Sequence, residues 1–259
     1  MVHLIKSYAK FLWNSKNEYS VHSPFVYDLL TKCFYDRTDF PDYKKLAQFR
    51  KSLLDDKSEI EVTDFGAGSR VFKSNKRKVS DIAKNAGISP SRAMMLYRIV
   101  RYFKSENVLE IGTSVGLATS ALSLGNPESK ITTLEGCLQT ASVAKRQFEN
   151  FGMQHIDLKT GEFAATLKSF DVGLLTFDLI YFDGNHQKDA TLAYFEKLLP
   201  TVTNDSVWIF DDIHWSAEME QAWEIIKQNP KVTVTIDTFQ WGLVFFRSEQ
   251  PREHFVIRC

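Results

Sequence analysis

Three aspartates follow two short apolar segments of this sequence. Asp183 ends the segment "LIYFD", and Asp211 and Asp212 end the segment "VWIFDD". Short runs rich in aromatic and β-branched residues are typical of buried strands. The carboxyl ends of parallel strands lie at the same edge of a sheet, where open α/β sheets bind their ligands. The pattern therefore predicts that these three carboxylates lie together in a binding site.

A divalent cation would explain why three carboxylates converge. Without a positive charge nearby the carboxylates repel one another, and each is hard to keep ionised. Mg²⁺ prefers oxygen ligands and keeps positions for water or substrate oxygens. We therefore expect Asp183, Asp211 and Asp212 to bind a metal ion. The alternative is that Asp211 and Asp212 cap the helix that follows them or accept hydrogen bonds from the backbone.

The elements that position these residues begin after residue 104, where short β-rich runs alternate with amphipathic helical patterns. This alternation predicts a parallel sheet, because each parallel connection crosses over through a helix. Only a few residues join the last two runs, which predicts an antiparallel hairpin. The predicted strands are residues 107–111, 130–135, 156–160, 178–183, 206–211, 232–237 and 242–247.

This order of strands resembles the class I S-adenosylmethionine (SAM) dependent methyltransferase fold, whose seventh strand is antiparallel and lies beside the fifth. The resemblance covers residues 107–247, more than half of the chain. It implies an α/β fold with a seven-stranded, mostly parallel, Rossmann-like sheet and an antiparallel last strand. Residues 1–104 are expected to form a mainly helical N-terminal extension with one short strand. Residues 105–247 would be the SAM-binding core, and residues 248–259 a C-terminal tail.

Two glycine-containing turns compete for the role of cofactor turn. Residues 62–70 read "VTDFGAGSR", and residues 108–116 read "VLEIGTSVG". A nucleotide-type cofactor needs a strand before the turn, a helix after it, and an acid at the end of the next strand to bind ribose hydroxyls. The second turn meets all three conditions, with Glu135 as the acid. The first is followed by a charged loop, and we expect it to be a strand and tight turn carrying the basic residues 70–78 toward the active site.

The selected turn also indicates which cofactor binds. A pyrophosphate requires an extra glycine for close backbone approach. Between Gly112 and Gly116 stand Thr113, Ser114 and Val115 instead. SAM has no phosphate, so a looser turn is sufficient, and the pattern favours SAM over NAD.

The resemblance to class I methyltransferases implies further cofactor contacts. Glu162 corresponds to the acid that meets the adenine amine, with Phe163 covering the ring, and Glu110 corresponds to the acid near the methionine end. The candidate cofactor-binding residues are then Glu110, Gly112, Thr113, Ser114, Gly116, Glu135, Gly136, Gly161, Glu162, Phe163 and Asp183.

The aspartates resemble the ligands of metal-dependent O-methyltransferases, both the catechol type and the sugar-modifying type. In these families an Asp after the fourth strand and an acidic pair after the fifth hold the metal, which here implies Asp183, Asp211 and Asp212. Such a metal binds two vicinal substrate oxygens and lowers the pKa of the attacking hydroxyl. The implied reaction is methyl transfer from SAM to an oxygen of a small hydroxylated molecule.

One position departs from the family pattern. The sugar-modifying enzymes have a second Asp, which is the proposed base, where this chain has Asn185. An amide takes up no proton at neutral pH, so another residue must be the base. His186 titrates in the right range, with Lys188 and His214 in reserve. The candidate catalytic residues are therefore Asp183, His186 and Lys188.

Composition limits the expected partners. The 259 residues include 32 Lys or Arg and 32 Asp or Glu, and a chain without net charge is a poor match for nucleic acid. Three widely spaced cysteines form no disulfide or metal pattern, which favours a reducing compartment. Residues 1–20 lack the apolar core of a signal peptide, and no apolar run is long enough to span a membrane. We expect a cytoplasmic protein that acts on a small-molecule acceptor, without a membrane partner.

Two other functions remain open at the level of sequence. Residues 80–103 resemble a helix-turn-helix, so a SAM-sensing DNA-binding regulator is one. A catalytically idle SAM-binding protein is the other, because the family's base is missing. An apolar stripe within residues 24–34 is typical of core or interface, and it makes the N-terminal region a candidate homodimer surface.

Overall fold

The computed structural model describes residues 2–63, Gly66, 74–170 and 174–259. The chain divides into two compact units. The first unit comprises Met1–Tyr35 and Phe170–Cys259, and the second unit comprises Asp36–Ser169. Both units combine helices with strands.

Helices and strands alternate after residue 104 in the predicted order. The helices are α1 (Val2–Asn14), α2 (Pro24–Leu29), α3 (Asp42–Asp55), α4 (Val79–Asn85), α5 (Pro90–Phe103), α6 (Leu117–Gly125), α7 (Leu138–Asn150), α8 (Phe163–Lys168), α9 (Lys188–Leu198) and α10 (Ala217–Gln228). The strands are β1 (Glu59–Glu61), β2 (Lys76–Lys78), β3 (Asn107–Ile111), β4 (Lys130–Glu135), β5 (Ile156–Thr160), β6 (Leu179–Phe182), β7 (Val207–Asp211), β8 (Val234–Asp237), β9 (Trp241–Phe245) and β10 (Glu253–Val256).

The second unit contains the parallel strands β3, β4 and β5, whose bounds are those predicted from the sequence. Strand β4 lies in the middle, with β3 on one side and β5 on the other. The first residue of strand β3 is partly buried, and its last four residues are fully buried. This is typical of a parallel strand that is covered on both faces. Helix α6 packs on α5 and α3 in the same unit.

The first unit contains five strands in the order β10-β8-β9-β7-β6. Strands β6 and β7 are parallel, whereas β9 is antiparallel to both of its neighbours, β7 and β8. The short link between β8 and β9 leaves no room for a crossover helix, so these strands form a hairpin. The predicted mostly parallel α/β architecture with an antiparallel strand beside the fifth core strand is confirmed.

Strand β10 is an element that the sequence did not predict. It pairs in parallel with β8, Glu253 lying opposite Val234 and Val256 opposite Asp237. Only Phe255 of its four residues is buried. Such a short, mostly exposed strand has no clear apolar alternation that would predict it from the sequence. It is a strand because its backbone pairs with that of β8.

Residues 80–103 form an αα-hairpin, α4 followed by α5, in the second unit. Ser89 caps α5 by accepting a hydrogen bond from the backbone N–H of Arg92, and Pro90 occupies its first turn. Six residues of α5 are buried, and the helix packs mainly on α6. The second helix of the hairpin therefore contributes to the core, where a DNA-reading helix would need an exposed face.

The competing turn at residues 62–70 lies mostly outside the described residues, as does the start of the basic segment at residues 70–78. The end of that segment is the short strand β2, which pairs with β1. Glu59 lies opposite Lys78, and Glu61 lies opposite Lys76. Opposite charges across a strand pair stabilise it modestly, so these lysines have a structural role in the second unit.

Candidate active site

The turn between β3 and α6 adopts a backbone that favours glycine. Gly112 and Gly116 have φ values of 108° and 86°, and Ser114 between them has a φ of 50°. A Cβ at Gly116 would lie 2.6 Å from the ring of Phe148, so packing as well as backbone conformation requires glycine there. The sequence signal of two glycines four residues apart therefore reflects a real steric constraint.

Backbone hydrogen bonds tie together the loops that follow β3, β4 and β5. The N–H groups of Gly112 and Thr113 both donate to the carbonyl of Leu134, at 2.9 and 3.0 Å. The N–H of Gly161 donates to the carbonyl of Glu135 at 2.9 Å. The second unit thus brings the predicted cofactor residues of three different loops into one hydrogen-bonded group.

The carboxylate of Glu135 lies at the centre of this group. Its Oε2 accepts the backbone N–H of Ser114 at 2.7 Å, and its Oε1 accepts the N–H of Cys137 at 2.9 Å. Two backbone donors hold the side chain in one orientation and favour its ionised form. An ionised carboxylate offers about four acceptor directions, enough for backbone donors and for a pair of ligand hydroxyls.

Glu110 lies in the buried interior of the second unit, behind the turn. Its Oε2 accepts hydrogen bonds from the hydroxyls of Thr119 and Thr133, each at 2.5 Å, and Thr133 also contacts the hydroxyl of Thr113 at 2.5 Å. Burial raises the pKa of Glu110 to about 7, against the opposing effect of the two threonine hydrogen bonds. Its Oε1 is buried and has no hydrogen-bond partner among the described residues.

Glu162 is exposed at the start of α8. Its two carboxylate oxygens accept the N–H groups of Ala164 and Ala165, at 3.0 and 2.9 Å. The side chain therefore acts as a helix cap. Its contact with adenine, like that of the neighbouring Phe163, stays a prediction, as do the contacts of Gly136 and Gly161.

In the first unit, Asp183 and Asp211 stand at the ends of the paired parallel strands β6 and β7. Phe182, the last residue of β6, lies opposite Phe210, and Asp211 ends β7 one residue later. Asp211 turns one carboxylate oxygen back to accept the N–H of Asp212 at 3.0 Å. The adjacent Asp212 has a left-handed backbone with a φ of 54°.

The loop after β6 carries the predicted base. Nε2 of His186 lies 3.6 Å from Oδ1 of Asp183, and both side chains are partly exposed. Asn185 and His186 have φ values of 74° and 45°, two consecutive left-handed residues that are not glycine. Lys188, the reserve base, donates a hydrogen bond to the side chain of Gln221 at 2.9 Å.

Left-handed backbone is concentrated at the carboxyl ends of strands. Six non-glycine residues of the described ranges have a positive φ, and only Lys104 ends a helix. The others lie in loops after β3, β6, β7 and β8: Ser114, Asn185, His186, Asp212 and Phe239. Such strain costs about 1–3 kcal/mol per residue and is concentrated at functional sites.

A family comparison matches the part of the chain that carries these loops. Residues 109–213 match the model of a family described as a methyltransferase domain. Over this stretch the chain is similar to methyltransferase domains. The resemblance inferred from the sequence is confirmed.

Known proteins of this class are similar to the chain at low identity. A catechol O-methyltransferase from Niastella koreensis is 24% identical over 129 residues, or 49% of this chain, and the chain spans only 58% of that relative. The structure of the methyltransferase PaMTH1 from Podospora anserina with bound S-adenosylhomocysteine has a TM-score of 0.63 at 15% identity, covering 88% of this chain and 97% of that one. The O-methyltransferase TomG from Streptomyces achromogenes, in complex with SAM, has a TM-score of 0.58 at 16% identity, covering 86% and 95%. The structural likenesses establish the fold.

The chemistry of the turn at Gly112 to Gly116 fits SAM as the cofactor. The oriented carboxylate of Glu135 is suited to accept hydrogen bonds from ribose hydroxyls. The unpartnered Oε1 of Glu110 lies behind the same turn and is suited to an ammonium group or a water molecule. The turn has no third glycine, and SAM has no phosphate that would require one.

The residues present fit the predicted divalent cation less well than they fit SAM. Among the described residues, no group of three or more His, Cys, Asp or Glu side chains is placed to hold a metal ion. Asp183, Asp211 and Asp212 therefore do not form the expected cluster. One carboxylate oxygen of Asp211 accepts the backbone N–H of Asp212, which is the alternative that the sequence left open.

His214 belongs to an arrangement that the sequence did not reveal. Its Nδ1 lies 2.6 Å from Glu220 and its Nε2 lies 2.9 Å from Asp237, while the ring stacks on Phe239. Burial alone would lower the pKa of His214, but the hydrogen bonds and negative charges of Asp237 and Glu220 raise it. His214 thus lies between two carboxylates, and its role as reserve base stays a prediction.

We predict that Glu110→Gln removes a pH dependence of stability. The ordinary pKa of 4.5 is raised to about 7 in the folded chain, so the folded state keeps a proton that the unfolded state loses. This stabilisation is fully present below pH 4.5 and is lost as the pH rises through about 7. Between about pH 5 and pH 8, the wild type should lose about 2–3 kcal/mol of unfolding free energy that the variant keeps.

Urea unfolding of the ligand-free proteins, followed by circular dichroism, measures the difference. Glu149→Gln is the matched control, because Glu149 is exposed on α7. Its pH curve should run parallel to that of the wild type. A Glu110→Gln curve that is also parallel to the wild type would contradict a neutral Glu110.

Proposed function

We propose that the protein transfers a methyl group from SAM to a hydroxyl oxygen of a small molecule. The observation that carries this proposal is the carboxylate of Glu135, which the backbone N–H groups of Ser114 and Cys137 hold at the end of β4. The residue follows the turn at Gly112 to Gly116, so the conditions for a nucleoside-binding turn are met within one unit. The methyltransferase domain supplies the reaction class.

The cofactor-binding residues have distinct roles in this proposal. Glu135 accepts the ribose hydroxyls, and the N–H groups and side chains of the turn line the path of the methionine part. Glu110 lies behind the turn, where burial raises its pKa to about 7, so it is partly protonated near pH 7 and can compensate a nearby ammonium group by losing its proton. SAM, when bound, supplies an electrophilic methyl group on a sulfonium.

Support for an oxygen acceptor comes from the relatives. The curated relative from Niastella koreensis is a catechol O-methyltransferase, and TomG is also an O-methyltransferase. Catechol is a small molecule with two vicinal hydroxyls. We therefore propose a small hydroxylated acceptor, for which catechol is a suitable test substrate.

His186 is proposed as the general base. Its Nε2 faces the carboxylate of Asp183, so Nδ1 is the atom that accepts the proton of the acceptor hydroxyl. The hydroxyl oxygen forms the new bond to the methyl carbon as the carbon–sulfur bond breaks, and the proton stays on His186. Asp183 stabilises the imidazolium that results. No step passes through a metal ion, because the three aspartates do not form a cation site.

We predict that Glu135→Gln weakens binding of S-adenosylhomocysteine by about 30-fold or more, which corresponds to about 2 kcal/mol. The amide has one acceptor atom instead of two, so it cannot bond both backbone N–H groups and the ribose. Isothermal titration calorimetry measures the dissociation constant. Glu128→Gln is the control, because Glu128 is an exposed side chain in another loop of the same unit.

The control should bind S-adenosylhomocysteine like the wild type. Unchanged affinity in Glu135→Gln would remove the basis for the cofactor assignment. A wild type that does not bind at all would end the proposed function as a whole.

We predict that His186→Gln lowers kcat for catechol methylation by about 10²-fold or more, while the affinity for S-adenosylhomocysteine stays within about threefold of the wild-type value. The variant's rate should rise with pH as the catechol hydroxyl ionises without help. Chromatographic detection of methylated catechol measures turnover. His22→Gln is the control, because His22 is exposed outside these loops.

A pH–rate profile that is unchanged in His186→Gln would assign the base to another residue. If the wild type binds S-adenosylhomocysteine but methylates neither catechol nor a panel of other hydroxylated compounds, the idle SAM-binding alternative is the better description.

We predict that EDTA changes the methylation rate of catechol by less than about twofold, because Asp211 is bonded to its own turn and the aspartates do not converge. The measurement compares EDTA-treated enzyme with and without added Mg²⁺. Loss of activity that Mg²⁺ restores would show that acceptor binding rearranges these aspartates into a cation site.

A further inference from the structure

Helix α1 in the first unit is apolar on two different faces. Phe11 and Ser7 are buried, and the ring of Phe11 packs 5.4 Å from that of Phe239. Ile5 and Leu12 lie at helical spacing on a neighbouring face and are 64% and 39% exposed. Tyr8 lies beside them and is 47% exposed, although its ring also lies 4.8 Å from that of Phe239. Trp13 beside them is 90% exposed. We call Ile5, Tyr8, Leu12 and Trp13 the α1 outer face.

Charge on this helix has a single sign. Residues 1–17 contain Lys6, Lys10 and Lys16 but not one of the chain's 32 acidic residues. The three lysines are exposed. Viewed down the helix axis, Lys6 and Lys10 lie next to Trp13 on one flank of the outer face. A chain without net charge thus presents a locally basic helix with exposed aromatic and aliphatic side chains.

We propose that the α1 outer face binds the surface of a membrane that contains anionic phospholipids. A basic amphipathic helix with Trp and aliphatic residues on its apolar face lies in the headgroup region, where lysine side chains reach the phosphates. Trp and Tyr are favoured at this depth, because one end of each ring is apolar and the other is polar. Within the described ranges no helix is long and apolar enough to cross a membrane, so this binding is peripheral.

Charge complementarity favours a lipid surface over a second copy of the chain. A two-fold interface places the same patch on both partners. In an antiparallel pair of α1 helices the lysine flanks would face each other, with no acid within residues 1–17 to neutralise them. Anionic headgroups neutralise the same lysines, each contributing about 1 kcal/mol to binding. The homodimer expected from the sequence is therefore the competing outcome of the test.

The test is sedimentation of the full chain with vesicles of two compositions. One set contains phosphatidylcholine alone, and the other an equimolar mixture of phosphatidylcholine and phosphatidylglycerol. We expect binding to the mixed vesicles that weakens as salt is added and little binding to phosphatidylcholine. Trp13 is far more exposed than the buried Trp208, Trp223 and Trp241, so binding should shift tryptophan emission to shorter wavelength, and Trp13→Phe should remove the shift.

Two variants separate the charge from the apolar contact. Changing Lys6, Lys10 and Lys16 together to Gln should reduce partitioning by about a hundredfold. A variant with Ile5→Ser and Trp13→Ser should reduce it at unchanged charge. The matched control changes three exposed lysines of the second unit, Lys84, Lys145 and Lys168, to Gln and should bind as the wild type does.

Three results would overturn the proposal. The first is absence of binding to the mixed vesicles. The second is an equal loss of vesicle binding in the lysine control variant, which would mean that the overall charge of the chain, and not α1, determines binding. The third is a stable wild-type dimer in light scattering without lipid that Ile5→Ser with Trp13→Ser converts to monomer, because the face would then be a self-interface. Circular dichroism and S-adenosylhomocysteine binding show that each variant is folded.

Discussion

The hydroxyls of Thr119 and Thr133 donate to one carboxyl oxygen of Glu110, and all three side chains are fully buried. Glu110 lies on β3, Thr119 on α6 and Thr133 on β4, so one polar group joins the strand before the cofactor turn, the helix after it and the next strand. A buried hydrogen-bonded group is costly to disrupt, since a partner left alone loses about 1–3 kcal/mol. The turn that carries Gly112 and Gly116 is therefore held by the core beneath it as well as by its own backbone.

Glu135 extends the same constraint to the surface of the second unit. It follows Thr133 on β4 by two residues, so it lies on the same side of the strand. The hydroxyl of Thr133 donates a hydrogen bond to the buried carboxyl of Glu110. The carboxylate of Glu135 accepts one from the N–H of Ser114 in the turn. Glu110 is fully buried, which raises its pKa, whereas Glu135 is partly exposed at the end of β4.

Charge in the first unit is arranged differently from the sequence-based expectation. The three aspartates after β6 and β7 predicted a cation, but Asp211 accepts a backbone N–H and Asp183 faces His186. His214 lies there between Glu220 and Asp237. These contacts join the turn after β7 to the end of β8 and to α10.

The sequence by itself determined the class of fold and the order of the strands after residue 104, and it predicted the turn at Gly112 to Gly116 as the cofactor turn. Strands β3, β4 and β5 are predictable because each is a short run with aliphatic or β-branched residues that is followed directly by a glycine, which is a local signal. The proposed role of Glu135 rests on its place at the end of the strand after the turn. Only the tertiary structure decided which acids converge, that Glu162 caps its own helix, and that His214 pairs with Glu220 and Asp237. Side-chain direction in loops depends on left-handed residues such as His186 and Asp212 and on partners far away in the chain, and neither leaves a local signal in the sequence. The same holds for β10 and for the exposed face of α1, because exposure depends on what the rest of the fold covers.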